Sequence, residues 1–204
     1  MPKLSKTKVI GITGSMGSGK SKVASYLSKQ YPVLDCDQVN AKLLKKGEAG
    51  YFYLIQLPWI VLDAQGEIDK KKMAQTIFND NTKKKKVESI LHPLILAEMK
   101  RWISKQEAKF VFVEVPLLFE SHMEDYFESI WCIVVSDKIA LERLFNYRNF
   151  TYEQAKERIS KQMSPKEKME RSTIIIKNNK SVEDLEIEIK KALKKEEDAI
   201  VRNE

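Results

Sequence analysis

Short apolar runs alternate with polar or glycine-rich turns near the start of the chain. Lys8–Thr13 predicts a buried strand that leads into a glycine-rich loop, and Val23, Ala24 and Leu27 then share one face of a predicted helix. Pro32–Leu34 is a second apolar run. The order strand, glycine turn, helix and strand is typical of a parallel crossover unit.

Three later apolar runs predict the rest of a sheet. Phe110–Val115 and Ile130–Val135 are almost continuously apolar and rich in β-branched and aromatic residues. This composition is typical of central parallel strands that are covered on both faces. Thr173–Ile176 predicts the last strand. We therefore expect an α/β fold in which a parallel sheet is flanked by helices.

The long segment between the second and third predicted strands has mostly helical spacing. The predicted helices are Lys70–Asn79, Thr82–Leu91 and Leu94–Lys105. Pro93 is expected to break the helix after His92, because proline lacks an N–H group and restricts the residue before it. The sequence "DAQG" at 63–66 predicts a turn.

Helix starts in the last third of the chain carry capping signals. Asp137 is expected to cap a helix that runs to about Asn146. Thr151 with Gln154 and Ser164 with Glu167 fit the capping box. Ser181 with Asp184 is expected to open the C-terminal helix.

Composition excludes several classes of protein. The chain has 204 residues, of which 43% are hydrophobic and 32% charged, which predicts one folded domain. It contains no apolar run long enough to cross a membrane and no apolar signal core near its start, so we expect a cytoplasmic protein without a membrane partner. Cys36 and Cys132 lack metal-type spacing and are expected to be reduced thiols.

The formal net charge of +7 suits either nucleic acid or small polyanions as partners. No helix-turn-helix, RNA-binding aromatic signature or zinc-finger spacing accompanies the charge, so we expect no nucleic-acid partner. Lysine runs at 70–72 and 83–86 fit solvated helix faces, with a phosphate-facing role as the alternative.

The glycine-rich loop matches the pattern G-x-x-x-x-G-K-[ST] in full, between a predicted strand and a predicted helix. Backbone N–H groups of such a loop and of the helix that follows bind the phosphates of a nucleoside triphosphate. Lys20 is expected to reach the β- and γ-phosphates, and the Ser21 hydroxyl to ligate Mg²⁺. The residues of the motif, all expected to bind the triphosphate, are Gly14, Ser15, Met16, Gly17, Ser18, Gly19, Lys20 and Ser21.

Acidic residues follow two of the predicted strands. Asp35 and Asp37 come directly after the second strand, where they either bind Mg²⁺ and accept a proton or cap the next helix. Glu114 ends the strand before "PLLFE" and is a candidate for contact with Mg²⁺, directly or through water. The alternative is a glutamate at the surface edge of the sheet.

Two further positions have open interpretations. His92 in "LHP" is either structural or catalytic, and no nucleophile matches it. Arg143 and Arg148 surround a predicted helix end and suit a lid that supplies charge to a transferring phosphoryl group. The alternative is that both arginines are surface residues paired with nearby glutamates.

Several motifs appear in the order typical of one family. They are "GITGSMGSGKS", "LDCDQVNAKLL", "DAQGEIDKKKM", "TIFND", "ILHPLI", "VPLLFE", "ERLFNYRNFTYEQAKERISKQ" and "IIIKNN", and they run from about residue 8 to residue 190. In these motifs and in their order, the sequence resembles the dephospho-CoA kinase family. Ser15 departs from the glycine of the family pattern, which a loop tolerates if the φ angle at that residue is negative.

The resemblance implies a P-loop kinase core with a helical acceptor-binding insertion and a helical lid. The implied reaction moves the γ-phosphoryl group of ATP to the ribose 3′-hydroxyl of dephospho-CoA, giving CoA and ADP, with Mg²⁺ as cofactor. A monomer is expected, and an oligomer stays open. The implied parts of the single domain 1–204 are a core at about 7–37, 107–140 and 171–200, an insertion at about 38–106 and a lid at about 141–170.

The resemblance also assigns roles to individual residues. Asp37 resembles the family's base for the 3′-hydroxyl, and Lys20, Ser21 and the loop keep their roles toward ATP and Mg²⁺. The remaining implied residues are Glu114 for the metal, His92 and Leu117 for the acceptor, Arg148 for the phosphates and Gln162 at the end of the lid.

Two other functions stay open beside this one. A different small-molecule kinase, such as a nucleoside monophosphate kinase, would share the loop, but "LHPLI" together with "PLLFE" favours the CoA reaction. A nucleotide-switched binding protein is the second alternative. A GTPase would be expected to carry N-K-x-D, which "NNKS" at 178–181 does not match.

Overall fold

The computed structural model describes residues 7–148 and 150–202, and these contain one five-stranded sheet. The strands are β1 (Lys8–Gly14), β2 (Val33–Asp35), β3 (Phe110–Glu114), β4 (Ser129–Val134) and β5 (Ile174–Lys177). They lie in the order β2-β3-β1-β4-β5, and the pairs β1–β3, β1–β4 and β4–β5 are parallel. Each predicted strand is confirmed within one residue or two at its ends.

Nine α-helices lie in the described part of the chain. They are α1 (Lys20–Leu27), α2 (Cys36–Leu43), α3 (Ala49–Leu54), α4 (Lys70–Asn79), α5 (Asn81–Ile103), α6 (Asp137–Arg148), α7 (Tyr152–Ser160), α8 (Pro165–Glu170) and α9 (Val182–Val201). None of these helices has an apolar stretch of the length that a bilayer requires.

The strand register brings chemically important residues to one edge of the sheet. Ile12 lies opposite Glu114 on β3, and Thr13 lies opposite Cys132 on β4. Because these strands are parallel, their carboxyl ends meet at the same edge, where ligands bind in open α/β sheets. Cys36 and Cys132 are both buried, and neither forms a disulfide.

The main core covers one face of the sheet with α1 and α9. The predicted apolar face of α1 is confirmed, since Val23, Ala24 and Leu27 are its buried residues. They pack with buried side chains of the sheet and of α9. This cluster comprises Ile10, Ile12, Val23, Leu27, Phe110, Phe112, Trp131, Ile133, Ile174, Ile176, Leu185, Ile189 and Ala192.

The chain divides into two compact units. One runs up to Leu34 and resumes at Gln106, and the other is Asp35–Lys105. In the second unit α2, α3 and α4 pack on α5 around a separate core. That core comprises Leu44, Tyr51, Leu54, Ile68, Met73, Val87 and Leu91. The predicted turn at 63–66 is confirmed, with the Gly66 N–H donating to the Asp63 carbonyl at 3.0 Å.

The predicted helix break at Pro93 is wrong. The proline lies inside α5, which continues from Asn81 to Ile103. A proline inside a helix leaves the carbonyl four residues earlier without its usual N–H donor. Val87, Leu91 and Met99 are buried on both sides of the proline, so packing along the whole helix outweighs this local loss.

Three of the predicted helix starts are confirmed and one is wrong. Thr151, Ser164 and Ser181 each form a complete capping box. Asp137, however, is already helical, and the Ile139 N–H donates to the Ser136 hydroxyl at 3.5 Å. The cap therefore comes from the residue before the aspartate, because a cap has to stand outside the helical turn that it closes.

A buried carboxylate joins α9 to the sheet. Glu196 is only 2% exposed, and its Oε2 lies 2.6 Å from the Lys8 ammonium nitrogen. Its Oε1 accepts hydrogen bonds from the Ser129 hydroxyl at 2.5 Å and from the Trp131 indole N–H at 2.8 Å. The three donors hold the last helix against β1 and β4.

Neutralising this carboxylate should destabilise the first unit. We expect Glu196→Gln to lower the free energy of unfolding by about 2 kcal/mol or more, because it leaves the Lys8 ammonium without its counter-charge. Urea unfolding followed by circular dichroism measures the difference. The control is Glu188→Gln on the same helix, which breaks an exposed pair with Lys191 and should change stability by less than about 0.5 kcal/mol. Equal effects of the two variants would contradict the interpretation.

Candidate active site

The glycine-rich loop connects β1, which ends at Gly14, to α1, which begins at Lys20. Inside it the Ser18 N–H donates to the Ser15 carbonyl at 3.2 Å, which closes a turn. Gly19 has a φ of 93°, in the left-handed region. Ser15 is not among the residues with positive φ, so the serine fits at this position as the sequence predicts.

The N-terminus of α1 differs from most other helix starts of the chain. Six helices begin with a side chain that accepts from their first N–H groups, supplied by Asp35, Asp69, Asp80, Thr151, Ser164 and Ser181. The N-cap of α1 is Gly19, which makes no such bond, and no acid stands in the first turn. The first N–H groups of a helix have no acceptor within it, so this end suits an anion.

Positive charge lies beside these N–H groups. The Lys20 ammonium nitrogen is 2.9 Å from the Gly14 carbonyl oxygen and 3.1 Å from that of Ser15. The lysine therefore folds back over the loop, and its charge adds to the positive end of the helix dipole.

A hydroxyl and a carboxylate meet next to the loop. The Ser21 hydroxyl donates to Glu114 Oε1 at 3.2 Å, and Glu114 is only 5% exposed, which excludes the interpretation of a surface-edge glutamate. Both groups offer the hard oxygen ligands that Mg²⁺ prefers. The described residues hold no group of three or more His, Cys, Asp or Glu side chains that could hold a metal ion.

Arg143 and Asn178 fix the back of the loop. The Arg143 guanidinium donates to the carbonyls of Gly17 at 3.3 Å and Ser18 at 3.5 Å, and also to the Asn178 carbonyl at 3.1 Å. The buried Asn178 amide donates to the Ser18 carbonyl at 2.7 Å. These hydrogen bonds hold the Gly17 and Ser18 carbonyls in place.

Few features of the sequence predict that Arg143 and Asn178 contact the glycine-rich loop. Among the described residues, Arg143 contacts loop carbonyls and not a nearby glutamate. The charge that it would supply to a phosphoryl group stays a prediction. The signals for Asn178 are its position directly after β5, at the edge where strands end, and its place in the motif "IIIKNN". The Arg148 side chain lies outside the described part of the structure, so the lid role predicted for it stays a prediction.

Gln162 contacts the loop from the end of the segment predicted as a lid. Its side-chain Oε1 accepts from the Met16 N–H at 3.2 Å. Leu117 in "PLLFE" is 37% exposed, whereas its neighbours Leu118 and Phe119 are buried. Leu117 thus presents an apolar side chain outward from a loop that is otherwise anchored.

Asp37 and His92 belong to the second unit. Asp35 caps α2, since its carboxylate accepts from the N–H groups of Asp37 at 2.8 Å and Gln38 at 3.2 Å. Asp37 is the exposed acid of the first turn and is not the cap. His92 lies half-buried in the middle of α5, and not at a helix break.

Burial raises the pKa of the Cys132 thiol, which lies on β4 beside the site. A hydrogen bond with Ser172 and the positive charges of Lys168 and Lys20 act in the opposite direction on this pKa.

A family model for dephospho-CoA kinases matches residues 8–184, most of the chain. The chain belongs to the dephospho-CoA kinase family. A dephospho-CoA kinase from Enterococcus faecalis is 35% identical over 195 residues, which cover 93% of this chain and 98% of that protein.

Solved structures agree with this membership of the dephospho-CoA kinase family. The crystal structure of a Thermus thermophilus protein matches with a TM-score of 0.81 at 32% identity, over 94% of this chain and 98% of that one. The dephospho-CoA kinase from Campylobacter jejuni matches with a TM-score of 0.68 at 28% identity, over 93% of this chain and 96% of that one. The P-loop kinase-type fold expected from the sequence is confirmed.

The close approach of Asn178 to Gly19 gives a test of the loop. A Cβ at Gly19 would lie 2.2 Å from Asn178 Nδ2, in addition to the strain of a φ of 93°. We expect Gly19→Ala to displace Asn178 and to abolish ATP binding in calorimetry while the protein still folds.

Gly47 provides the matched control for this substitution. It has a φ of 91°, and a Cβ there meets nothing within 4 Å. Gly47→Ala should therefore cost only the conformational strain, about 1–2 kcal/mol of unfolding free energy, and keep ATP binding. Similar ATP affinities of the two variants would refute the role given to the Gly19–Asn178 approach.

Proposed function

We propose that the chain transfers the γ-phosphoryl group of ATP to the ribose 3′-hydroxyl of dephospho-CoA, giving CoA and ADP. The observation that carries the proposal is the uncapped N-terminus of α1, with the Lys20 ammonium and the Ser21–Glu114 pair beside it, in a chain of this family. The enzyme acts in the cytoplasm as a monomer.

The donor side of the reaction rests on the glycine-rich loop. Its N–H groups and Lys20 bind the triphosphate and stabilise the charge on the transferring phosphoryl group. Ser21 and Glu114 hold Mg²⁺, which neutralises phosphate charge when it is bound. Arg148 adds charge from the lid, at about 141–170, which also excludes water that would compete with the acceptor.

The acceptor side rests on the helical insertion at about 38–106 and on "PLLFE". Asp37 orients the 3′-hydroxyl and accepts its proton, a role supported by its exposed position in the first turn of α2, directly after the end of β2. His92 and Leu117 bind the acceptor. Because the transition state of phosphoryl transfer is loose, positioning and electrostatics supply most of the rate enhancement.

A direct assay tests the proposed function. Purified protein with Mg²⁺ and ATP is mixed with dephospho-CoA, AMP or shikimate in parallel, and ADP is measured with a coupled assay. ADP formation that depends on dephospho-CoA is the expected result. Equal rates with AMP or shikimate, or no ADP with any acceptor, would overturn the proposal.

Removing the charge of Asp37 tests the proton acceptor. Asp37→Asn should lower kcat by about a hundredfold or more, the usual scale of a lost general base, with ATP affinity retained. Asp35→Asn is the neighbouring comparison, because asparagine caps α2 as well as aspartate does. We expect it to lower kcat by less than about tenfold. Near-normal turnover of Asp37→Asn would exclude the role of general base.

Lys20→Ala tests the phosphate contact. Loss of the ammonium should lower kcat by about a hundredfold or more, because developing charge on the phosphoryl group then lacks a donor. Lys22→Ala removes an exposed lysine two residues later and should keep the activity of the native chain. A folded Lys20→Ala variant with normal kcat would contradict the proposed role.

A further inference from the structure

The chain contains a completely buried lysine that the proposed reaction does not use. Lys168 on α8 is 0% exposed, and its ammonium nitrogen lies 2.8 Å from Glu120 Oε1 and 3.4 Å from the Pro116 carbonyl oxygen. Lysine is almost never fully buried unless it is paired. Burying such a charge costs several kcal/mol, and a protein with apolar residues in place of the ion pair is often as stable as the native protein.

We propose that Lys168 is a positioning residue that holds the loop Pro116–Glu120 in the geometry needed to bind the acceptor. Lys168 belongs to a stretch, Gln162–Arg171, that we name the exit segment because it follows α7 of the predicted lid. This inference rests on the proposed function, because it gives Lys168 a role in binding the acceptor of that reaction.

The exit segment contacts the "PLLFE" region at several points besides Lys168. The Met163 N–H donates to Glu120 Oε1 at 3.0 Å, so this oxygen accepts from two residues of the segment. Arg171 pairs with the Glu124 carboxylate, and its guanidinium lies 4.7 Å from the centre of the Phe119 ring. The loop is thus fixed by the exit segment along its length.

The Pro116 carbonyl links this contact to the sheet. It accepts from the Thr13 hydroxyl on β1 at 3.3 Å as well as from Lys168. Pro116 stands two residues after Glu114 and directly before Leu117, the residues proposed for the metal and for the acceptor. A shift of this carbonyl would therefore move both of them.

The other end of the exit segment contacts the donor loop. Gln162 accepts from the Met16 N–H, six residues before Lys168 in the chain. One short stretch thus contacts the glycine-rich loop through Gln162 and the "PLLFE" loop through Lys168. The two ends make separable predictions, because one faces the donor phosphates and the other faces the acceptor loop.

Steady-state kinetics and calorimetry distinguish the two ends. We expect Lys168→Met to lower kcat/KM for dephospho-CoA by about tenfold or more, with the Kd for ATP changed by less than about threefold. Gln162→Ala should instead raise the Kd for ATP by about threefold or more and have the smaller effect on kcat/KM for dephospho-CoA. A merely structural role of Lys168 would lower stability and leave the constants of the folded protein unchanged.

Lys166→Met provides the matched control on the same helix. Its side chain is 83% exposed and pairs with Glu170 only at 3.9 Å, so this variant should keep native constants. If Lys168→Met does not fold, the double variant Lys168→Met with Glu120→Met replaces both charges by apolar groups and should fold. The double variant should still show the selective loss toward dephospho-CoA, because the contacts with Pro116 and Met163 are absent.

Three outcomes would overturn the inference. The first is a native kcat/KM for dephospho-CoA in folded Lys168→Met or in the folded double variant. The second is a loss of ATP affinity as large as the loss of kcat/KM for dephospho-CoA. The third is a loss of kcat/KM in Lys166→Met as large as in Lys168→Met. Each outcome presupposes that the native chain turns over dephospho-CoA. Absence of turnover in the native chain would instead refute the proposed function.

Discussion

Binding a phosphate through backbone N–H groups requires a helix that begins without a cap, and the site depends on this constraint. The N-cap of α1 is Gly19, which has no side chain to accept a hydrogen bond, whereas six other helices begin with a side-chain acceptor. An open helix start needs support from its surroundings. Arg143 and Asn178 provide it by holding the carbonyls of Gly17 and Ser18.

Two buried charges fix elements of the first unit to the sheet. Glu196 joins α9 to the sheet through Lys8, Ser129 and Trp131. Lys168 joins α8 to the loop that follows Glu114. Since buried ion pairs contribute little net stability, their value here is that each admits one geometry. For Lys168 that geometry is the position of the loop Pro116–Glu120.

Local sequence signals predicted those parts of the fold that local forces decide. The capping boxes at Thr151, Ser164 and Ser181 formed as expected, because their hydrogen bonds lie within four residues of the chain. Pro93 shows the limit of such signals. Its local penalty is real, yet burial along α5 outweighs it, and that burial depends on residues far away in the sequence.

The sequence by itself determined the glycine-rich loop, the strands and the family, because spacing within a few residues specifies each motif. Tertiary structure decided which distant groups meet. Ser21 reaches Glu114 across 93 positions, and Met16 reaches Gln162 across 146. No short-range pattern encodes such pairs. The Ser21–Glu114 pair follows from the strand order, in which β3 lies beside β1. The hydrogen bonds of Arg143 and Asn178 with the glycine-rich loop, and the buried contact of Lys168, also join residues that are distant in the sequence.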